Sequence, residues 1–255
     1  MSKILWINPV GTDAYDEVMQ KGFESIKRPD TIVDVVSLDK GPEHLEYRYY
    51  EALVLPEILH KVKAAERAGY DATIIGCFYD LGLQESREMV KDMVVTAPGE
   101  ACSHLAATMG EQFSVIVTRS KCISQMKSTL SGYGMKDKLA SFKSLGLAVD
   151  ELHDSEEVTF ERMVALSKEA IQQDGAELMV LGCTIQFGYY EKLQKAIGVP
   201  VIDAVIAPFK QAELIAELKN QFGWTHSKVC AYEEPPISEI KRWDLEEQYE
   251  LKGLW

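Results

Sequence analysis

The chain has 255 residues, which is enough for one large domain or for two domains of about 125 residues each. Hydrophobic residues make up 46% and charged residues 26% of the chain, so the composition is that of a globular protein and excludes disorder and fibrous repeats. The net charge is -13, from 27 Lys and Arg against 40 Asp and Glu. Nucleic acids and anionic membrane surfaces need clustered positive charge, so we expect neither as a partner.

The first residues form too short an apolar run for a signal peptide, and no window reaches the roughly 18 apolar residues of a membrane-spanning helix. The five cysteines are an odd number, which does not fit a disulfide framework. We therefore expect a cytoplasmic protein whose cysteines act through thiol chemistry or through packing.

Short apolar runs rich in β-branched residues alternate with amphipathic stretches along the chain. In chain order, the predicted strands are Ile4–Asn8, Thr31–Ser37, Ala72–Gly76, Met93–Thr96, Phe113–Thr118, Leu147–Leu152, Leu178–Gly182 and Pro200–Asp203. Two of the stretches between them have a clear helical apolar face, formed by Leu55, Ile58, Leu59, Val62 and Ala65, and by Phe160, Met163, Val164, Ser167 and Ile171. Apolar strands that are each followed by a helix are typical of parallel sheets covered on both faces, so the predicted fold class is α/β.

The chain also contains an internal repeat. The segment Gly69–Cys77 aligns with Gly175–Cys183 at an offset of 106 residues, and the same offset carries Met93–Thr96 onto Val199–Ile202 without a gap. The strand that ends at Val117-Thr118 is a counterpart of the first strand at a slightly larger offset. This pattern predicts a duplicated half of about 105 residues, each with its own small parallel sheet.

Cys77 and Cys183 each follow a predicted strand and a glycine, at the carboxyl end where open α/β sheets place their ligand sites. A helix that follows such a strand presents unpaired N–H groups and a positive dipole end, so we expect a lowered pKa at both thiols. If the two halves face each other, the thiols reach one cleft from opposite sides. One thiolate can then remove a proton from one face of a carbon centre, while the other thiol returns a proton to the opposite face.

Several motifs together carry a family resemblance: Ile7–Pro9, Gly41–Glu46, Gly76–Gly82, Leu181–Cys183 with Val199–Asp203, and Ser227-Lys228 with Tyr232. From about Ile4 to about Pro236 the chain resembles the aspartate/glutamate/hydantoin racemase superfamily, and within it the hydantoin and allantoin racemase branch. The resemblance implies a racemase or epimerase that uses no cofactor, with Cys77 and Cys183 as the acid/base pair. It implies a small-molecule substrate, namely a 5-substituted hydantoin or a related cyclic ureide such as allantoin.

The resemblance also implies which side chains and segments hold the substrate: Asn8, Phe78, Tyr79, Thr118 and Thr184. An aromatic wall of Phe78, Tyr79 and Phe187 would suit a five-membered ring with an apolar substituent. We predict two similar, flavodoxin-like α/β lobes with the active site in the cleft between them. Residues 1–97 and 208–255 form the first lobe, which carries Cys77, and residues 98–207 form the second, which carries Cys183.

Other functions stay open on the sequence alone. One is an aspartate or glutamate racemase, although members of that kind look as if they recruit a His two residues after the second cysteine, and Thr184-Ile185-Gln186 contains none. No Lys or Arg lies beside either cysteine motif to hold a second carboxylate. A cysteine-dependent isomerase or lyase on the same scaffold is another alternative. The non-enzyme alternative is a two-lobed protein that binds a small ligand.

The remaining cysteines suggest no further chemistry. Cys102 and His104 lack a third ligand at a plausible spacing, so we predict no metal site there, and Cys122 is assigned to packing. The acidic run near the C-terminus is typical of a solvated tail. In the homo-oligomer that we expect, four apolar residues of this tail could instead cover a neighbouring subunit: Trp243, Leu251, Leu254 and Trp255.

Overall fold

Eight strands form two separate four-stranded parallel sheets in the computed structural model, which describes residues 1–251 and 253–255. The first sheet contains β1 (Ser2–Asn8), β2 (Thr31–Ser37), β3 (Ala72–Ile75) and β4 (Val94–Thr96), in the order β2-β1-β3-β4. The second contains β5 (Phe113–Val117), β6 (Leu139–Ser144), β7 (Leu178–Leu181) and β8 (Val201–Ile202), in the order β6-β5-β7-β8. The two sheets therefore have the same strand order.

Ten α-helices within the described residues accompany these strands. They are α1 (Asp16–Ile26), α2 (Arg48–Arg67), α3 (Leu83–Met89), α4 (Pro98–Met109), α5 (Ile123–Gly132), α6 (Glu156–Gln173), α7 (Tyr190–Ile197), α8 (Ile206–Phe222), α9 (Ile237–Arg242) and α10 (Leu245–Gln248). Both helices predicted from an apolar face are present, as α2 and α6. Among the described residues, no helix combines the length and apolar character that a membrane span requires.

The apolar composition of the inner strands fits their place in the middle of each sheet. Every residue of β3, β5 and β7 is buried, because helices cover both faces of each sheet. The predicted α/β class with two similar parallel sheets is confirmed.

The registers of the two sheets reproduce the internal repeat. Thr73 pairs with Val95 in the first sheet, and Met179 pairs with Val201 in the second, so both members of the pair are related by the offset of 106 residues. The segment from β3 to β4 is therefore structurally equivalent to the segment from β7 to β8, without a gap. The two cysteines, which follow β3 and β7, occupy equivalent places at the ends of the two sheets.

After β8 the chain returns to the first sheet. Helix α8 packs against β1, β3, β4 and α4, and its Phe209 ring lies 4.6 Å from the ring of Phe23 in α1. These two rings share a buried cluster with Trp6 of β1. Helix α8 therefore belongs to the core of the first sheet, while the exact lobe boundaries at 97/98 and 207/208 stay a prediction.

One predicted strand is wrong. Residues 147–152 form an irregular segment with turns, and the fourth strand of the second sheet is β6 instead. Strand β6 lies at the sheet edge, where one side stays partly open, so it tolerates polar residues: Ser141 and Lys143 both contact Asp174. An edge strand of this composition lacks the apolar run that marks the inner strands.

The end of the tail packs on the same chain. The Trp255 ring lies 4.7 Å from the Nζ atom of Lys63 and adds to the apolar cluster beside α2. Trp243 remains 51% exposed. Contact between the tail and a second subunit stays a prediction.

Candidate active site

A cavity lies between the carboxyl ends of the two sheets, and its walls come from both. Seven of the eight residues singled out from the sequence line it: Asn8, Cys77, Phe78, Tyr79, Thr118, Cys183 and Thr184. The space left for the centre of a water-sized sphere is about 70 Å³. The cavity therefore suits a small ligand and brings the two strand-end cysteines into one site.

A glycine precedes each cysteine because the chain passes too close to its neighbouring strand for a side chain. A Cβ atom on Gly76 would lie 2.5 Å from two ring carbons of Trp6 in β1. A Cβ atom on Gly182 would lie 2.7 Å from a methyl of Val115 and 2.8 Å from the carbonyl oxygen of Ile116 in β5. Both cysteines are thus held against the first strand of their own sheet by the same kind of contact.

The thiols differ from expectation in their acidity. Burial raises the pKa of the Cys77 thiol well above its ordinary value and raises that of Cys183 to about 12. The backbone N–H of Tyr79 lowers the pKa of Cys77, and that of Ile185 lowers the pKa of Cys183, but neither offsets desolvation. The predicted lowering is wrong, because several residues separate each cysteine from α3 or α7. Both thiols are therefore neutral near pH 7 in the free protein.

Asn8, at the end of β1, is held rigidly in the cavity wall. Its Oδ1 atom accepts a hydrogen bond of 2.6 Å from the indole N–H of Trp6, and its Nδ2 atom donates one of 2.6 Å to Asp16. The side chain is only 4% exposed. One Nδ2 proton remains beyond these two bonds, so Asn8 can donate a single directed hydrogen bond.

On the opposite wall, the hydroxyl groups of Thr118 and Tyr79 lie beside the thiol of Cys122. The Thr118 Oγ1 atom lies 3.6 Å from the Sγ atom of Cys122. Burial, and after it the neighbouring Cys122 thiol, raise the pKa of the Tyr79 phenol. The phenol is therefore neutral, and Cys122 supports the wall from behind.

The positions after the two cysteines carry different side chains. Thr184 Oγ1 donates a hydrogen bond of 3.3 Å to the Gly76 carbonyl oxygen and so links the two lobes beside the cysteines. Phe78, at the equivalent position after Cys77, is 3% exposed and packs into the core of the second sheet. Phe187 does not line the cavity as predicted; its ring occupies the space above Gly22 in α1.

Sequence reasoning assigned no role to the loop between β2 and α2, which supplies Glu43, His44, Leu45 and Glu46 to the cavity wall. The backbone holds this loop to the segment after β1, because Gly11 N–H donates a bond of 2.9 Å to the Pro42 carbonyl oxygen. No periodic pattern marks such a loop. The signal that could have found it is the Gly41–Glu46 motif itself.

The charge of the cavity wall is one-sided. Among the described residues that line it are the carboxylates Glu43 and Glu46, and none is Lys or Arg. No group of three His, Cys, Asp or Glu side chains that could hold a metal ion occurs within the described part of the chain. The wall therefore offers hydrogen-bond acceptors and thiols, and disfavours an anionic ligand.

Sequence comparisons place most of the chain in one protein family. The family described as Asp/Glu/Hydantoin racemase matches residues 4–212. A hydantoin racemase of Pseudomonas sp. (strain NS671) is 32% identical over 237 residues, covering 93% of both chains. A hydantoin racemase of Paenarthrobacter aurescens is 32% identical over 234 residues, covering 91% of this chain and 97% of the relative.

A solved structure agrees with these relatives. The allantoin racemase of Klebsiella pneumoniae superimposes with a TM-score of 0.85 at 26% identity, covering 92% of this chain and 94% of the other. Its similarity extends over both sheets.

Proposed function

This chain belongs to the Asp/Glu/hydantoin racemase family, and we propose that it racemises or epimerises 5-substituted hydantoins or related cyclic ureides such as allantoin, with Cys77 and Cys183 as its two bases. The observation that carries the proposal is that two cysteines at equivalent strand ends line a single small cavity. The named relatives, a hydantoin racemase and an allantoin racemase, support the ureide class.

In the proposed reaction the two sulfurs exchange one proton each with the substrate carbon. The thiolate of one cysteine takes the C5 proton and becomes a thiol, while the C–H electron pair moves into the adjacent carbonyl and forms an enolate. The thiol of the other cysteine then gives its proton to the opposite face of C5 and becomes a thiolate. Backbone N–H groups beside the cysteines stabilise the enolate oxygen. Proton exchange with solvent resets the pair.

The raised thiol pKa values suit this chemistry. A thiolate whose pKa is near 12, as at Cys183, is a stronger base than an ordinary thiolate, although little of it is present at neutral pH. Both cysteines are half-buried, and a thiolate in a small cavity that a ligand fills receives little competing solvation from water. No metal or organic cofactor is required when the substrate C–H lies beside a ring carbonyl.

The wall charges favour a cyclic ureide over an amino acid. Glu43 and Glu46 line the wall, and although Arg119 pairs with Glu46 from outside the lining, none of the described lining residues is a Lys or Arg that could bind the carboxylates of aspartate or glutamate. A hydantoin ring is neutral and carries N–H donors that such acceptors can bind.

The test is proton NMR in D2O with single enantiomers of 5-substituted hydantoins, allantoin, aspartate and glutamate, with optical rotation recorded in parallel. We expect deuterium to enter at the α carbon of a ureide as rotation is lost. Cys77→Ala and Cys183→Ala should each abolish racemisation, and each should still exchange the proton of one enantiomer only, because one base remains.

Cys230→Ala is the matched control, because Cys230 is exposed and does not line the cavity. It should racemise as the unaltered protein does. Racemisation that survives in either cavity variant would contradict the two-base scheme. An unaltered protein that exchanges no ureide proton, beside an active reference racemase, would contradict the substrate class.

A further inference from the structure

Glu46, in the loop between β2 and α2, has an incompletely bonded carboxylate at the cavity. Its side chain is only 4% exposed and lines the cavity wall. The Oε2 atom lies 3.5 Å from Arg119 Nη1 and 3.9 Å from His44 Nδ1. The Oε1 atom is buried and has no hydrogen-bond partner among the described residues.

Among the described residues, Glu51 Oε1 is also buried without a partner, but Glu51 does not line the cavity. The three other carboxylate side chains that are buried as a whole are fully bonded. Asp80 accepts bonds from two backbone N–H groups and from the Tyr133 hydroxyl. Asp203 accepts three backbone N–H bonds, and Glu213 is bonded by Thr31, by a backbone N–H and by a lysine. A buried carboxylate oxygen without a donor is energetically costly, because it has lost its hydrogen bonds to water. Glu46 is therefore the cavity-lining carboxylate that a bound donor would stabilise.

Arg119 explains why one oxygen is bonded and the other is not. Its guanidinium lies 3.5 Å from Oε2, and 38% of the Arg119 side chain is open to solvent. His44 Nδ1 accepts a hydrogen bond from the backbone N–H of Glu46, so Arg119 is the cation that holds Oε2. Oε1 is then the oxygen left to accept a hydrogen bond from a ligand.

The same carboxylate is electrostatically close to one of the reacting groups, because its negative charge contributes to the raised pKa of Cys183. Both residues line the same cavity, so a ligand that reaches Cys183 lies in the cavity that Glu46 borders. The ligand has to offer a donor, and it cannot carry a carboxylate at that place because the two charges would repel each other.

We propose that Glu46 is a substrate-binding residue, which through Oε1 accepts a hydrogen bond from a ring N–H of the cyclic ureide. This assignment rests on the proposed function. It predicts which substrates the site selects. The protein should bind rings with a free N–H at the position facing Glu46 and reject rings that carry an alkyl group on that nitrogen. The other ring nitrogen, which does not face Glu46, is expected to tolerate a methyl group better.

The test compares kcat/KM for one 5-substituted hydantoin and its N1-methyl and N3-methyl derivatives, measured by deuterium exchange. In the unaltered protein, methylation of one nitrogen should lower kcat/KM by about 10- to 150-fold, the value of a hydrogen bond to a charged group. Glu46→Ala should lower kcat/KM of the parent by a similar factor. It should leave that methyl derivative nearly unchanged, so the discrimination disappears.

Glu46→Gln keeps the shape of the side chain and guards against a folding defect. Because the Arg119 guanidinium donates toward the Oε2 position, the carboxamide oxygen should occupy it, and the NH2 group should then face the ring N–H. Two donors face each other in that arrangement, so this variant should also lose the discrimination. Circular dichroism and urea unfolding establish that both variants are folded. Asp39→Ala removes an exposed carboxylate of the same loop that does not line the cavity, and it should retain the discrimination.

Three results would overturn the role of Glu46: no discrimination against either methyl derivative in the unaltered protein, discrimination that persists in both Glu46 variants, or an equal loss for all three substrates. Each of these leaves the racemase function standing, because the unaltered protein still turns over the parent hydantoin. If the unaltered protein exchanges no hydantoin proton, the proposed function and the role of Glu46 both fail.

Discussion

Alkylation of Cys183 by iodoacetamide measures how strongly burial disfavours its thiolate. With a pKa of about 12, about one Cys183 thiol in ten thousand is ionised at pH 8, whereas about one in ten would be ionised at the ordinary value of 9.0. The thiolate is thus about a thousandfold scarcer. Its higher basicity makes each thiolate about 15- to 30-fold more nucleophilic. The net expectation at pH 8 is a reaction about 30- to 60-fold slower than that of an ordinary thiol.

The pH dependence separates this effect from restricted access to the cavity. Access scales the rate by a constant factor, whereas ionisation makes the rate rise about tenfold per pH unit until the pKa is reached. We expect the rate at Cys183, followed by mass spectrometry of its peptide, to rise without levelling between pH 7 and pH 9.5. Exposed Cys230 in the same sample is the reference for reagent chemistry. Circular dichroism at each pH checks that the protein stays folded. A plateau at Cys183 below pH 9 would refute the conclusion that burial dominates.

Two pairs of substitutions test the scaffold around the cavity. Gly76→Ala should lower the free energy of unfolding by about 1–3 kcal/mol in a urea titration, because the new methyl would lie 2.5 Å from the Trp6 ring. Gly132→Ala is its control and should be neutral or stabilising, since a Cβ there meets no atom within 4 Å and helix propensity rises; equal losses in both would contradict the close-approach argument. Asp80→Asn should cost about 2–4 kcal/mol, because a carboxamide cannot accept all three donated bonds, while Tyr133→Phe should cost about 1 kcal/mol by removing one of them. The account of Asp80 is wrong if Tyr133→Phe proves the more destabilising of the two.

Features of the fold that depend on local composition could be predicted from the sequence. The inner strands β3, β5 and β7 are apolar throughout, so the sheets and their repeat were evident from the residues alone. Strand β6 was missed because an edge strand with a serine and a lysine lacks the apolar run. The apolar run at residues 147–152, which the pattern predicts as a strand, is a loop.

Much of the cavity lining could be predicted from the sequence, except for Phe187 and the loop that carries Glu46, but the acidity of its thiols could not. The residues around Cys77 and Cys183 were found because a repeat and a set of motifs mark them. The sign of their pKa shift was not, because it depends on how much protein surrounds each sulfur, and burial of this kind arises only when two distant halves of the chain meet. The role of Glu46 could not be predicted for a similar reason. That its Oε1 atom lacks a hydrogen-bond partner can be recognised only once all the neighbouring atoms are placed.

The unequal residues that follow the two cysteines, Phe78 and Thr184, have a thermodynamic consequence for a racemase. The two enantiomers of a hydantoin have the same free energy in water, so the equilibrium constant is one and kcat/KM has to be the same in both directions. An apolar ring on one side of the cavity and a hydroxyl bonded across it on the other cannot change that equality. They can only raise or lower kcat and KM together for one enantiomer, by holding it more tightly or more loosely before the proton moves.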